Sequence, residues 1–268
     1  MASVCLHAGE EPALSGNKGV CNVFFSRCNL QCIYCQNFQI SNNQFGLVEI
    51  QDVNQVADRV CSILETGVSH VGLVSASHQI VQAIELMEEI SRRGYQPVYI
   101  YNSNGYDLPA SIDLIDPYIQ VYLPDFKYSD SNLALKLSDA YNYPEVAKRA
   151  IQRMLYHKGP KLLTDTNEIA HFGIIVRHLV LPGEMENSKN VLQCLADLSS
   201  KIQLSVMSQY QPTPTMKLHD KWNRTLFRKE YADIVRFVEE LGFENFWVQD
   251  LESSSNYNPD FNKAQPFL

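Results

Sequence analysis

The sequence predicts an α/β protein organised as a parallel (β/α) barrel, in its simplest form a partial (β/α)6 barrel. Three observations predict it. Short β-rich apolar runs alternate in regular order with longer amphipathic ones. Several short runs, such as Val71-Gly-Leu-Val74 and Ile174-Ile-Val176, are apolar throughout, which indicates burial on both faces and parallel pairing. The chain has 268 residues and 45% hydrophobic content, ordinary for one barrel domain.

Strands are predicted at Val20–Phe25, His70–Ser75, Pro97–Asn102, Tyr118–Leu123, Gly173–Leu181 and Ile202–Ser208, with a last one at Phe246–Gln249. Helices are predicted at Asp52–Glu65, Gln79–Arg93, Asp107–Leu114, Ser131–Leu137, Glu145–Tyr156, Ser188–Ser199 and Leu226–Leu241. Pro160 to His171, rich in Lys, Thr, Asp and Asn, reads as an exposed connection. No linker or repeat divides the chain, so one domain is expected over residues 1–268, with a core from about 15 to 250, an N-terminal segment 1–14 and an irregular tail 251–268.

The net charge is −8 and the acidic residues are dispersed, which leaves no basic face for nucleic acid. The apolar runs fall far short of the roughly 20 residues a membrane span requires, so no membrane partner is expected. Seven cysteines without a signal peptide suit a reducing cytoplasm.

The most informative segment is Cys28-Asn-Leu-Gln-Cys32-Ile-Tyr-Cys35, just after the first predicted strand. In a parallel α/β barrel that is the end where functional groups sit. A structural zinc site wants four ligands, usually as two paired half-sites, and no second pair exists here. The other cysteines, Cys5, Cys21, Cys61 and Cys194, are scattered singly. Three thiolates can hold a four-iron cluster by three corners, leaving the fourth iron open to a ligand that is not protein.

The spacing C-x3-C-x2-C, with an aromatic before the last cysteine, resembles the radical S-adenosylmethionine superfamily. The resemblance implies a [4Fe-4S] cluster on Cys28, Cys32 and Cys35 whose open iron binds S-adenosyl-L-methionine. Reductive cleavage then gives methionine and a 5′-deoxyadenosyl radical that abstracts hydrogen from a substrate. Tyr34 would by analogy lie near the adenine; on residue type alone it is equally a packing anchor.

Further motifs resemble the glycyl-radical-enzyme activating enzymes. These are Tyr101-Asn-Ser-Asn-Gly105, Leu123-Pro-Asp125-Phe-Lys127, the run Arg177-His178-Leu-Val-Leu-Pro182-Gly183, and Met207-Ser-Gln-Tyr210. The resemblance covers about residues 15 to 245. The opening Leu6-His-Ala-Gly-Glu-Glu-Pro12 and Tyr122-Leu-Pro-Asp125 are similar to the group described as pyruvate formate-lyase activating enzyme-related. It implies a role for Ser75, Ser77, His78, Asn102, Asp125, Lys127, Arg177 and Gln209 in binding S-adenosylmethionine. Asp125 and Lys127 alternate on a strand and so point the same way, suiting a zwitterion such as the methionyl group. Arg177 can grip a carboxylate with a bidentate fork. The plain alternatives are a surface ion pair for Asp125 with Lys127, a buried structural pair for Arg177 with His178, and a helix-start role for His78.

Two departures stand out. Ser75-Ala-Ser-His78 occupies the place of the superfamily's Gly-Gly-Glu type segment, and Asn102 replaces an Asp that helps bind a monovalent cation. No cysteine lies between Cys35 and Asp52, so one cluster is expected. The implied partners are S-adenosylmethionine, an electron donor such as flavodoxin or ferredoxin, and a protein substrate such as a glycyl radical enzyme. A small-metabolite substrate is the first alternative, and a non-catalytic iron–sulfur or zinc protein the second.

Overall fold

The computed structural model describes residues 1–43, 52–214, 216, 219–251, 259–263 and 265–267. Its central sheet contains nine strands: β1 (Ser3–His7), β2 (Val20–Phe24), β3 (His70–Val74), β4 (Val98–Ser103), β5 (Val121–Pro124), β6 (Leu163–Thr164), β7 (Ala170–Leu179), β8 (Gln203–Met207) and β9 (Phe246–Val248). The order is β1-β2-β3-β4-β5-β7-β8-β9, with β6 attached to β7. Every pair from β2 to β9 along that path is parallel, while β1 runs antiparallel to β2. Among the described residues nothing pairs β9 with β1, so the barrel is partial.

The helices are α1 (Pro12–Ser15), α2 (Phe38–Ser41), α3 (Val53–Leu64), α4 (Ile80–Arg92), α5 (Pro109–Ile115), α6 (Ser131–Ser138), α7 (Tyr143–Lys158), α8 (Met185–Leu198) and α9 (Arg228–Glu240). The long ones bury one stripe at helical spacing, such as Val56, Val60 and Leu64 on α3 or Ala147, Ile151 and Met154 on α7. Asp52 caps α3 and Asp130 caps α6 through their carboxylates.

Period-two alternation divides each strand between two environments. One face supplies Val23, Leu73, Tyr101, Tyr122 and Val176 to the layer under the helices. The other points into the barrel. Near the N-terminal ends of the strands this inner face is apolar: Val20, Ile100, Val121, Leu123 and Ile175 pack with Ala13 and Leu14 of α1. Towards the C-terminal ends it turns polar, with Asn102, Asp125, Arg177 and Ser205 following along β4, β5, β7 and β8. The short α1 thus plugs one mouth of the barrel, and the polar groups face the other.

Several expectations shift. Residues before 15, predicted to carry no element, contribute β1 and α1. The strand predicted from Tyr118 starts at Val121, because Asp116–Tyr118 closes α5 with a 3-10 turn around Pro117. The helix predicted from Asp107 starts at Pro109, since Asp107 is drawn into hydrogen bonds from Tyr101 and Ser103. The connection 160–171 is exposed over Leu163–Thr164, yet it contains β6 and the first residues of β7; the Asp165 carboxylate holds the turn by accepting from the amides of Asn167 and Ile169 at 2.8 and 3.0 Å. Within the tail predicted from residue 251, positions 252–258, 264 and 268 lie outside the described residues, and Phe261 and Phe267 pack against Phe24. Among the described residues no helix is long and apolar enough to cross a membrane.

His178 does not partner Arg177. Adjacent strand residues face opposite ways, and His178 is fully buried on the helix side, where Nδ1 donates to the Phe126 carbonyl at 2.7 Å and Nε2 accepts from the Ser188 hydroxyl at 2.9 Å. Burial lowers its pKa to about 4, against the pull of the Phe126 carbonyl. A folded-state value below the unfolded one means that the neutral ring's stability is fully present above about pH 6.5 and is lost as pH falls towards 4. His178→Gln, which cannot titrate, should therefore show a shallower loss of thermal stability between pH 6.5 and 4 than the wild type, a difference of up to about 3 kcal/mol. Parallel pH profiles would refute this reading.

Candidate functional site

At the polar mouth of the barrel lies a cavity of about 500 Å³, lined by Cys28, Cys32 and Cys35 together with Tyr34, Ser75, Asn102, Asp125, Lys127, Arg177 and Gln209. These predicted residues come from six separate regions of the chain. Parallel register explains the convergence, because successive strands end at the same level and deliver their following residues to one rim. Ser77 and His78 do not line the cavity. Ser77 lies by the buried Tyr101 hydroxyl at 3.4 Å, and His78 is exposed, its Nε2 at 2.8 Å from the Ser26 carbonyl beside Gln79 Nε2 at 2.7 Å. His78 and Gln79 thus contact the segment just before Cys28 from outside the cavity.

The cysteine loop is fixed by its surroundings. The amides of Gln31 and Ile33 donate to the Ser138 and Leu137 carbonyls at the end of α6. Thr213 donates to the Ile33 carbonyl at 2.8 Å, and Asn29 Nδ2 to the Tyr106 carbonyl at 2.7 Å. Each sulfur has a partner from outside the motif or along its backbone: Asn104 Nδ2 and the Leu30 amide at 3.2 and 3.4 Å from Cys28, Ser138 Oγ at 2.9 Å from Cys32, and Ser41 Oγ at 3.2 Å from Cys35. Burial pushes the Cys32 thiol up to about 12 against the opposing Lys127 charge, with Cys35 and Cys28 adding to the rise. Burial also raises the Cys28 thiol.

This donor set fits a bound iron–sulfur cluster. Buried sulfurs ionise when a metal supplies positive charge, and hydrogen bonds to sulfur are the usual support for such ligands. Among the described residues no three His, Cys, Asp or Glu side chains are gathered closely enough to hold one metal ion. A four-iron cluster asks for less, since each thiolate binds a different iron.

Deeper in the barrel, Asp125 accepts from Arg177 Nε at 2.9 Å and from Lys127 Nζ at 2.5 Å. Arg177 also donates to Asn102 Oδ1 at 2.5 Å and lies 3.5 Å from Glu10. Burial works against the Asp125 charge, but Arg177 and Lys127 outweigh it and hold the carboxyl below its usual range. The plain alternative of a surface ion pair does not hold for Asp125 and Lys127, whose pairing lies in the interior. The Arg177 fork is engaged by Asp125 and Asn102.

Residues that sequence reasoning missed complete the site. Glu10 and Glu11 reach the cavity from the loop between β1 and α1, and Glu10 accepts from Asn22 at 2.8 Å. Glu11 is buried with Oε2 unpartnered among the described residues. Gly72 leaves room for Asn22, since a Cβ there would lie 2.2 Å from its Oδ1. Asn104, two positions beyond the predicted Asn102, is the residue that reaches Cys28. Tyr143 at the start of α7 donates to the Asn104 and Asp125 carbonyls and accepts from the Lys127 amide at 3.0 Å. Gly105 makes that approach possible, because a Cβ there would lie 2.1 Å from the Asp125 carbonyl. The repeated Glu-Glu before Pro12 was the one visible signal for the floor.

Fold and site together define an open parallel α/β barrel with a three-thiol loop at the rim of an ion-paired cavity. No family model matches the chain. It is similar to the uncharacterized protein MJ0674 of Methanocaldococcus jannaschii, 24% identical over 247 residues, which are 89% of this chain and 67% of that protein. Among solved structures it resembles Streptococcus suis SuiB, with TM-score 0.58, 12% identity and coverage of 87% of this chain and 50% of that one. SuiB bound to S-adenosylmethionine gives TM-score 0.55 at 13% identity, covering 87% of this chain and 51% of that one. SuiB bound to precursor peptide SuiA gives 0.54 at 12%, covering 89% and 51%. The chain spans about half the length of the SuiB chains, and at these identities the likeness is one of fold.

Two substitutions test the electrostatics and strain of the cavity. Ser75 has a left-handed backbone, φ 59°, at the end of β3, where its amide donates to the Asn102 carbonyl at 2.9 Å. Ser75→Gly should stabilise the fold by about 1 kcal/mol in urea unfolding, since glycine carries no Cβ penalty there; a loss of stability would contradict it. Burial raises the Glu11 carboxyl, against the nearby Arg177. A raised acid favours the folded state at low pH and loses that advantage as pH climbs above the unfolded value near 4.3. Glu11→Gln should thus gain stability relative to wild type between pH 4 and 7, measured by thermal melts, and a gap that narrows over that range would count against it.

Proposed function

We propose that this chain is a radical S-adenosylmethionine enzyme. The observation that carries the reading is the convergence of Cys28, Cys32 and Cys35 with Lys127, Asp125 and Arg177 on one cavity. The binding of S-adenosylmethionine by SuiB, a protein of similar fold, supports it. When bound, the [4Fe-4S] cluster supplies one electron for cleavage of the sulfonium C–S bond.

The chain's own residues position and shield. Cys28, Cys32 and Cys35 would hold the cluster, each sulfur steadied by Asn104, Ser138 or Ser41. Lys127 and Asp125 offer an ammonium and a carboxylate to the zwitterionic methionyl group, while Arg177 keeps Asp125 ionised. Ser75 and Gln209 border the same space, and Tyr34 lines it beside Tyr210, their rings tilted with centroids 6.0 Å apart. Asn102 contributes by orienting Arg177.

For the substrate we propose a peptide or protein segment, in the manner of a glycyl-radical-enzyme activase in the cytoplasm, reduced by flavodoxin or ferredoxin. SuiB with its bound precursor peptide, and a sheet whose ends do not pair among the described residues, support a chain entering from the side. A small metabolite is the second reading. It is favoured by Pro259 and Phe267, which line the cavity from the C-terminal tail and narrow its side.

Anaerobic reconstitution should load about four irons per chain, and reduction with S-adenosylmethionine present should yield 5′-deoxyadenosine. Cys28→Ala, Cys32→Ala and Cys35→Ala should abolish both, whereas Cys61→Ala and Cys194→Ala leave them nearly unchanged. Wild-type protein with a full cluster but no 5′-deoxyadenosine would overturn the mechanism, and loss of the cluster in Cys194→Ala would overturn the ligand assignment.

A further inference from the structure

Behind the cysteine loop runs a buried chain of three hydroxyls that ends at Cys32. Tyr34 Oη lies 2.6 Å from Tyr128 Oη, Tyr128 Oη lies 2.6 Å from Ser138 Oγ, and Ser138 Oγ donates to Cys32 Sγ at 2.9 Å. Tyr128 and Ser138 are almost fully buried, and Tyr34 is 6% exposed. A row of three hydroxyls can point its protons one way or the other. With Ser138 donating to sulfur, Ser138 accepts from Tyr128 and Tyr128 accepts from Tyr34, so every proton in the row has an acceptor. In the reverse sense the Tyr34 proton needs a further acceptor, and its hydrogen-bond partner among the described residues is Tyr128. Satisfaction of buried donors therefore sets the row towards Cys32.

The row is anchored at several points. Ser138 is the last residue of α6, and its carbonyl also accepts from the Gln31 amide, so hydroxyl and loop are held by the same residue. Tyr128 packs edge-on against Tyr143, with centroids 5.2 Å apart, and Tyr143 ties the loops after β4 and β5 together. The donor hydroxyl itself is therefore buried and held from both sides.

We propose that Ser138, aligned by Tyr128 and Tyr34, is a positioning residue that raises the reduction potential of the cluster held at Cys32. The inference rests on the reading of Cys28, Cys32 and Cys35 as cluster ligands. Its physical basis is that a hydrogen bond to a ligating sulfur stabilises the more negative, reduced cluster more than the oxidised one. With its donor buried, such a bond keeps much of its strength. The effect of Tyr128 and Tyr34 is indirect: each polarises the next hydroxyl and removes the alternatives that Ser138 could otherwise point to.

The test is an EPR-monitored redox titration of reconstituted wild type, Ser138→Ala, Tyr128→Phe and Tyr34→Phe, each with iron content verified. At a fixed solution potential near the wild-type midpoint, Ser138→Ala should show a ratio of reduced to oxidised cluster roughly three- to tenfold lower, tenfold in that ratio corresponding to 59 mV for a one-electron couple. Tyr128→Phe should shift the same way by less, and Tyr34→Phe by less again. Ser138→Thr, which keeps the hydroxyl, should return most of the change. A midpoint in Ser138→Ala equal to or above wild type overturns the inference. If Ser138→Ala does not load iron, Tyr128→Phe decides alone, because it leaves the backbone bonds to Gln31 and Ile33 in place; an unshifted midpoint there is equally fatal. Failure of wild type itself to load four irons would instead overturn the reading of the site.

Discussion

The Asp125 carboxylate, buried between Arg177 and Lys127, is the constraint on which the interior depends. A charge removed from water is tolerable only with compensating charge and hydrogen bonds close by. Here the compensation comes from the next strand, through Arg177 Nε at 2.9 Å, and from its own chain two residues on, through Lys127 Nζ at 2.5 Å. Arg177 in turn engages Asn102 on β4 and faces Glu10 from the β1–α1 loop. Burial works against Arg177 as it does against Asp125, yet the surrounding carboxylates of Asp125, Glu11 and Glu10 hold it firmly charged. One network thus sets the relative heights of β4, β5 and β7 and seats the N-terminal segment beneath them. Breaking a buried pair of this kind by removing one partner costs about 3–5 kcal/mol, because the other charge stays behind.

From that network the order extends to the rim. Lys127 neighbours Asp125 on one side and acts on Cys32 on the other, where its charge opposes the effect of burial on the thiol. Tyr143 receives the Lys127 amide and binds the carbonyls of Asn104 and Asp125, and Asn104 reaches Cys28 at 3.2 Å. The cysteine loop has no regular secondary structure of its own until α2, so its shape is imposed by α6 and by the loops after β4 and β5. A loop fixed by its neighbours in this way can hold three sulfurs in a defined arrangement where an isolated seven-residue spacing could not.

Much of the fold was legible because it rests on local periodicity. Fully apolar runs became β2, β3 and β7, and helical stripes became α3, α4, α7 and α9 with shifts of a few residues at their ends. The errors arose where a tertiary demand outweighed local pattern. Asp107 resembles a helix N-cap but is spent on Tyr101 and Ser103, and Leu163–Thr164 became a strand because the edge of β7 was available to pair. The first residues, mixed in polarity and with a Pro, offered no strong period, yet β2 needed an edge partner and the barrel needed a plug.

By itself the sequence determined that three thiols follow the first parallel strand and that Asp125, Lys127 and Arg177 stand at the ends of later ones, because alternation along a strand is fixed by backbone geometry. What only the tertiary structure decided is who meets whom. It paired Asp125 with Arg177 inside the barrel, turned His178 away to Ser188, left Ser77 and His78 outside the cavity, and brought Glu10, Glu11, Asn104 and Ser138 to the site. Those outcomes depend on strand register and on contacts between residues up to 167 positions apart, as between Glu10 and Arg177. No local pattern encodes them, since the free energy that selects them comes from satisfying buried charges and donors across the assembled sheet.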